Sequence, residues 1–144
     1  MHRGQTVKAM VVIRRPRDGA LLVSRHLGPP EASFHRPLGG HVEFGEYALA
    51  TAHRELAEEI GQQLTSVRLL GVLENIFEWA GDQSHEVVFI YAAAFADPAA
   101  YEIAEQPILD EAGDPGRVIW RPAGAVTPPL YPSGLARLIE ESGA

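Results

Sequence analysis

Three glutamates crowd one short stretch of this sequence: Glu55, Glu58 and Glu59, inside Arg54-Glu55-Leu56-Ala57-Glu58-Glu59-Ile60-Gly61. On a helix, at about 100° per residue, their side chains fall within an arc of roughly 100°. Like charges at helical spacing repel, so ordinary helix chemistry does not call for such a group. A hard cation relieves the repulsion, because Mg²⁺ takes oxygen ligands from one or two carboxylates and completes its shell with substrate phosphates. The residues therefore point to metal-assisted chemistry on a phosphorylated substrate. A solvated acidic helix face is the plainer alternative.

The element that must hold them is a helix entered from a glycine-rich loop that starts at Gly39. Gly45 is expected as its N-cap, with Glu46 placing a negative charge in the first turn. Gly61 sits where a left-handed residue ends a helix. Between these ends Leu49, Ala52, Leu56 and Ile60 recur at helical spacing as one apolar stripe. Glu59 lies nearest that stripe and is expected to be the least solvated of the three.

Gly40, five residues, Glu46, seven residues and then Arg54 to Gly61 resembles the Nudix box. The family pattern ends on a bulky apolar residue, where this chain has Gln62 at what is a packing position. The resemblance extends beyond the box to the hairpin before it and the Trp120-Arg121-Pro122 segment, and so covers nearly the whole chain. It implies an α+β domain built as an α/β/α sandwich around a mixed β-sheet. It also implies a pyrophosphohydrolase, with Mg²⁺ or Mn²⁺ as cofactor, that cleaves the diphosphate linkage of a nucleoside diphosphate derivative. By position Glu55, Glu58 and Glu59 match the family's metal ligands, and the carbonyl of Gly40, or of Gly39 beside it, would complete the shell. Glu55, Glu59 and Arg54 are the residues on which the reaction is expected to depend. The residue matching Glu55 is the general base in some relatives; others draw the base from a later loop, where Glu102, Glu105 and Glu111 are the candidates here. A guanidinium binds a carboxylate bidentately, so Arg54 is read as orienting a box glutamate, with a phosphate contact as the alternative.

Two other readings compete. A Nudix-like binding or regulatory module without catalysis would be expected to lack box glutamates, and none is missing. An isomerase resembling isopentenyl diphosphate isomerase needs an active-site cysteine, and the chain has no cysteine. The substrate stays open among nucleoside triphosphates, sugar nucleotides and dinucleoside polyphosphates.

Phe77 and Trp79 share one strand face at period two. Sheet packing is one account of them, and a stacking surface for a nucleobase is the other. His85-Glu86 opens the next strand, read as a solvated strand end with the same cleft as the alternative. The six histidines show no metal-ligand pairing at short spacing and read mostly as surface residues, with His53 beside Arg54 the one of interest.

The composition bounds these readings. At 144 residues the chain is expected to be one domain, 1–144, able to bury roughly two-thirds of its unfolded surface. A net charge of −7 argues against polymeric nucleic acid or an anionic membrane as partner. The expected partner is a nucleotide-type small molecule, and a homodimer is left open. The lack of cysteine excludes disulfides and thiolate zinc sites and fits a cytoplasmic location. The N-terminal residues lack the apolar core of a signal peptide. The longest apolar run, Val87 to Ala96, is far short of the ~20 residues a membrane span needs.

Strands are expected at Val7–Ile13 and Ala20–Arg25, joined as a hairpin by Pro16-Arg17-Asp18-Gly19, and near His35–Leu38. Val67–Trp79, with a bulge at Gly71, and Glu86–Phe95 read as an antiparallel hairpin. Residues 97–116 read as a long irregular loop. Arg117–Trp120 follows as a short strand, then one helical turn at Pro122–Val126 and a last helix from its N-cap Ser133 to Glu141.

Overall fold

The computed structural model describes residues 4–26, 33–79, 81–109 and 115–144. Strand β1 (Thr6–Val12) is the spine. Ala9 to Ile13 are all buried, so both faces of the strand are covered, which explains a continuous apolar run where a half-buried strand would alternate. One sheet has the order β4–β1–β6–β5, with β4 (Leu38–His41), β5 (Leu64–Trp79) and β6 (Asp82–Phe95). Here β1 runs parallel to β6 and antiparallel to β4, while β5 runs antiparallel to β6. The second sheet, β3–β2–β8–β7, contains β2 (Leu21–His26), β3 (His35–Arg36), β7 (Gln106–Leu109) and β8 (Pro115–Arg121).

Helix α1 (Ala48–Ile60) packs Ala52 and Leu56 against Ala9, Val11 and Tyr91 on one side of β1. Helix α2 (Leu135–Ser142) packs Leu135 and Ile139 against Met10, Val12, Val88 and Ile90 on the other. This is the α+β, helix–sheet–helix arrangement that the family resemblance implies.

Several local expectations change in three dimensions. The turn after β1 forms, with Gly19 N–H donating to the Arg15 carbonyl at 2.8 Å and a single bridge between Arg14 and Leu21. The expected hairpin stops there: β1 and β2 part into different sheets, because β4 and β6 occupy both edges of β1. The expected glycine loop is a strand, β4, in register with β1 so that Met10 faces Gly39 and Ala9 faces Gly40. A Cβ on Gly39 would overlap the Ala9 carbonyl, so glycine permits this close approach.

Helix α1 begins later than expected, with Tyr47 as its N-cap and no acidic residue in its first turn. Gly45, at φ +85°, sits in a turn closed by Glu46 N–H to the Glu43 carbonyl at 2.9 Å. Gly61 is left-handed, as expected. Leu49 is exposed, because the buried side of the helix is set by Thr51, Ala52, Glu55 and Leu56.

β5 carries its bulge where expected: Leu69 opposes Tyr91 and Gly71 opposes Ile90, leaving Leu70 extra. The expected polar turn 81–84 is mostly strand, since β6 starts at Asp82, opposite Trp79. Segment 97–116 is more regular than a loop: a 3₁₀ turn (Pro98–Glu102) precedes β7, which pairs with β8. Pro107 is tolerated because β7 is an edge strand. Pro122–Val126 is a tight turn in place of a helical one, with Ala125 N–H on the Pro122 carbonyl at 3.1 Å. Gly134, left-handed, replaces Ser133 as the N-cap of α2.

Candidate metal and phosphate site

Arg54 organises the site. Its Nε and Nη2 grip the Glu46 carboxylate at 2.8 and 2.9 Å, a bidentate fork, and Nη2 also reaches the His41 carbonyl at 3.1 Å. Nη1 donates to Glu55 at 3.1 Å and to Glu58 at 3.2 Å. One guanidinium thus ties the turn after β4 to two of the three box glutamates. The Thr51 hydroxyl adds a 2.6 Å bond to Glu46. Arg54, and then Thr51, hold the Glu46 carboxyl down at about 2. The role of Glu46 is therefore to bind Arg54, and not to meet the helix dipole.

The three glutamates are not equivalent. Glu58 is 59% exposed and turned to Arg54, whereas Glu55 is 5% exposed. The deepest carboxylate is thus Glu55 and not Glu59, because Glu55 shares the inner helix face with Thr51, Ala52 and Leu56. Glu59, partly buried, has its pKa pushed up to about 9, first by burial and then by a hydrogen bond to, and repulsion from, Glu55. The Arg36 charge and the Gly39 N–H act in the opposite direction. Two carboxylates in hydrogen-bond contact must share a proton. Arg54 touches the Glu55 end of the pair through Nη1 while its fork holds Glu46, and Arg36 lies on the Glu59 side.

This donor set fits a divalent cation. A cation would take the place of the shared proton and relieve the repulsion between Glu55 and Glu59. Among the described residues no group of three or more His, Asp or Glu side chains forms a ready-made cage. Such an incomplete set suits Mg²⁺, which commonly uses one or two carboxylates and leaves its other positions to water and phosphate.

Of the other residues singled out in the sequence, Gly39 touches Glu59 through its N–H, and Gly40 lies beside it in β4. Glu102 pairs with Arg17 at 3.2 Å and Glu105 with Arg117 at 2.9 Å, each outside the Arg54 cluster. Glu111 lies outside the described residues, and so does the Trp79 side chain. Phe77 is half-buried opposite Ser84, on the β5 face that Leu73 presents towards α2, so the structure does not bring it against the glutamates on α1. His53 is exposed.

Some residues escaped sequence reasoning. Glu86, expected at a solvated strand end, is buried and pairs with Lys8 at 2.8 Å, next to buried Asn75 on the face that carries Phe77. His35, expected at the surface, is 5% exposed. Its pKa falls to about 4 through burial and then through Arg121 and Arg25, so the ring is neutral. Arg121 donates to His35 Nδ1 at 3.0 Å and to the Pro128 and Ala125 carbonyls, locking β3, and with it Arg36, to the C-terminal segment. No local sequence signal marks Arg36, because only the return of β3 brings it to Glu59.

The site thus joins a helix-borne acidic pair, an arginine clamp and a close-packed glycine strand in a helix–sheet–helix domain. The NUDIX domain family model matches residues 4–139, and the chain belongs to that family; it is a Nudix-type pyrophosphohydrolase. Solved structures share the fold. A MutT NUDIX hydrolase from Burkholderia pseudomallei is 24% identical, covering 94% of this chain and 97% of its own, with a TM-score of 0.68. A NUDIX hydrolase from Nitrosomonas europaea is 18% identical, over 97% of this chain and 89% of its own, at a TM-score of 0.67. The E. coli ORF135 protein is 21% identical, over 93% and 86%, at 0.55. Among the described residues no helix is long and apolar enough to cross a membrane.

Proposed function

We propose that the protein hydrolyses the diphosphate linkage of a nucleoside diphosphate derivative in a reaction that depends on Mg²⁺ or Mn²⁺. The substrate is a nucleoside triphosphate, a sugar nucleotide or a dinucleoside polyphosphate. The observation that carries this reading is the Glu55–Glu59 pair, two carboxylates in hydrogen-bond contact beside Arg36 and the Gly39 N–H. When bound, a divalent cation would neutralise phosphate oxygens and make a water more acidic. Glu55, Glu58 and Glu59 would hold it, with the carbonyl of Gly40 or Gly39.

In hydrolysis the water oxygen bonds to one phosphorus, the bridging P–O bond breaks, and the bridging oxygen leaves with the other phosphate. The water's proton needs an acceptor. Glu55 fits that role, being buried and held by Arg54; the loop glutamates Glu102 and Glu105 are engaged with Arg17 and Arg117. Arg54 acts as a positioning residue through its fork on Glu46. Arg36 offers positive charge to the substrate phosphates. Phe77, with Trp79, would stack on the base, and the nearby Lys8–Glu86 pair and Asn75 offer it polar partners. The lack of cysteine supports a cytoplasmic site of action.

The test is a panel of nucleoside triphosphates, sugar nucleotides and dinucleoside polyphosphates, assayed with Mg²⁺, Mn²⁺ or chelator. Release of a phosphate-bearing fragment from at least one compound, only with divalent metal, is expected. Turnover undiminished in chelator would refute the metal dependence.

A further inference from the structure

On the sheet face that packs against α2, three strands turn from apolar to polar together. Met10 and Val12 of β1 give way at period two to Lys8, Val88 and Ile90 of β6 to Glu86, and Leu73 of β5 to Asn75. The three polar residues form one row across β1, β6 and β5, with Asn75 in register opposite Glu86. Glu86 is 8% exposed and Asn75 9%. Lys8 Nζ lies 2.8 Å from Glu86 Oε2.

Folding leaves much of the hydrogen-bonding capacity of this row unspent. Among the described residues Glu86 Oε1 has no partner and the Asn75 side chain makes no hydrogen bond. No fully buried polar side-chain atom there lacks a partner, so the Asn75 amide opens to solvent. A buried ion pair adds little stability over apolar packing of the same volume. The row therefore suits a ligand better than it serves the sheet.

From the glycine strand β4 outwards, the row presents a donor, Lys8 Nζ, then two acceptors, the Glu86 oxygens, and then the Asn75 amide, which can donate. One edge of guanine offers the complement in the same order: the O6 acceptor, the N1–H and N2–H donors, and the N3 acceptor. We propose that, if the chain acts on nucleotides as argued above, Lys8, Glu86 and Asn75 select guanine. Phe77, two residues beyond Asn75 on the same face, is the stacking partner. β4 and β6 are two strand spacings apart, ~10 Å, which leaves room for the ribose between this row and the strand that meets Glu59. The other bases match less well. Hypoxanthine has a C–H where guanine has its 2-amino group and leaves one Glu86 oxygen unmet. Adenine has neither O6 nor N1–H. Uracil turns its O2 carbonyl towards a carboxylate oxygen, and cytosine turns its amino group towards Lys8.

Chemical-shift titration of the ¹⁵N-labelled full chain in chelator, with the 5′-monophosphates of guanosine, inosine, adenosine, cytidine and uridine, tests this without turnover. GMP should bind at least ~10-fold more tightly than each of the others and move the Asn75 side-chain amide signals, since a hydrogen bond to a charged group contributes about that factor. Glu86→Gln keeps the shape but not the two acceptors, so it should erase the difference between GMP and IMP. Asn75→Ala removes only the contact to N3, which all purines carry, so it should weaken GMP and IMP alike and preserve their ratio. The ratio in wild type and in Asn75→Ala decides the matter even where Glu86→Gln fails to fold. GMP preference in a protein that hydrolyses nothing in the nucleotide panel would support the guanine site and remove only the hydrolase reading. Metal-dependent turnover with equal binding of GMP and IMP would overturn the guanine site alone. Preference for another base, or a GMP–IMP difference that survives in folded Glu86→Gln, would overturn it too.

Discussion

Replacing Glu59 by glutamine should abolish a pH dependence of stability that the metal-free wild type possesses. In the folded chain the Glu59 carboxyl titrates near 9, against 4.5 for an ordinary glutamate. Between those values the folded state holds one more proton than the unfolded state. The stabilisation is complete below about 4.5 and is lost as pH climbs towards about 9. For a single proton the slope cannot exceed about 1.4 kcal/mol per pH unit. The pair is coupled and Glu59 is not fully buried, so roughly half that slope is expected, or ~1–2 kcal/mol between pH 6 and 8. In a domain of this size that is a fall of about 3–6 °C in Tm. Glutamine keeps the volume and a donor for Glu55 but has no proton to lose, so the variant should melt at a nearly constant temperature over the same range.

Metal inverts the comparison. A cation that binds the deprotonated pair releases the shared proton, so its affinity for wild type rises with pH. At a hundred times the dissociation constant it should add about 2.7 kcal/mol. Glu59→Gln should therefore melt at or above wild type in chelator near pH 8 and below it in millimolar Mg²⁺ or Mn²⁺, with kcat reduced by at least ~10²-fold. Melts of both proteins across pH, in chelator, in each divalent ion and in NaCl at matched ionic strength, test the argument. Parallel pH slopes for the two proteins in chelator, or NaCl reproducing the effect of Mg²⁺, would refute it.

Two further substitutions probe the frame around the pair. Arg54→Lys removes the fork on Glu46 and the reach to Glu55 and Glu58, and should lower kcat ~10–100-fold with little change in Tm; activity within a factor of two or three of wild type would remove Arg54 from the mechanism. Gly39→Ala forces a Cβ into the Ala9 carbonyl and within 2.7 Å of the Met10 Cα, and should cost ~3 kcal/mol or more in denaturant unfolding. Gly45→Ala, at positive φ in open space, should cost only ~1 kcal/mol, and equal losses for the two would contradict the close β1–β4 packing.

What the sequence determined by itself was local. The box spacing identifies the family, the left-handed end of α1 follows from Gly61, and the β5–β6 hairpin with its bulge follows from two apolar runs and a short turn. Each depends on residues within a few positions of one another, where periodicity and backbone sterics act directly. The tertiary structure decided what depends on contacts far apart in the chain. β1 leaves β2 because β4 and β6 claim both its edges, which no turn signal can reveal. Glu46 reads as a helix-dipole residue until Arg54 closes on it from eight positions away. Glu86 reads as solvated until Lys8, from a parallel strand, meets it in the sheet. Arg36 carries no motif, and it reaches Glu59 only because buried His35 is fastened by Arg121, 86 residues later. Charge at a site is set by burial and by partners in space. The glutamates could therefore be recognised from their spacing, while the shared proton between Glu55 and Glu59 emerged only when the helix face that buries Glu55 was known.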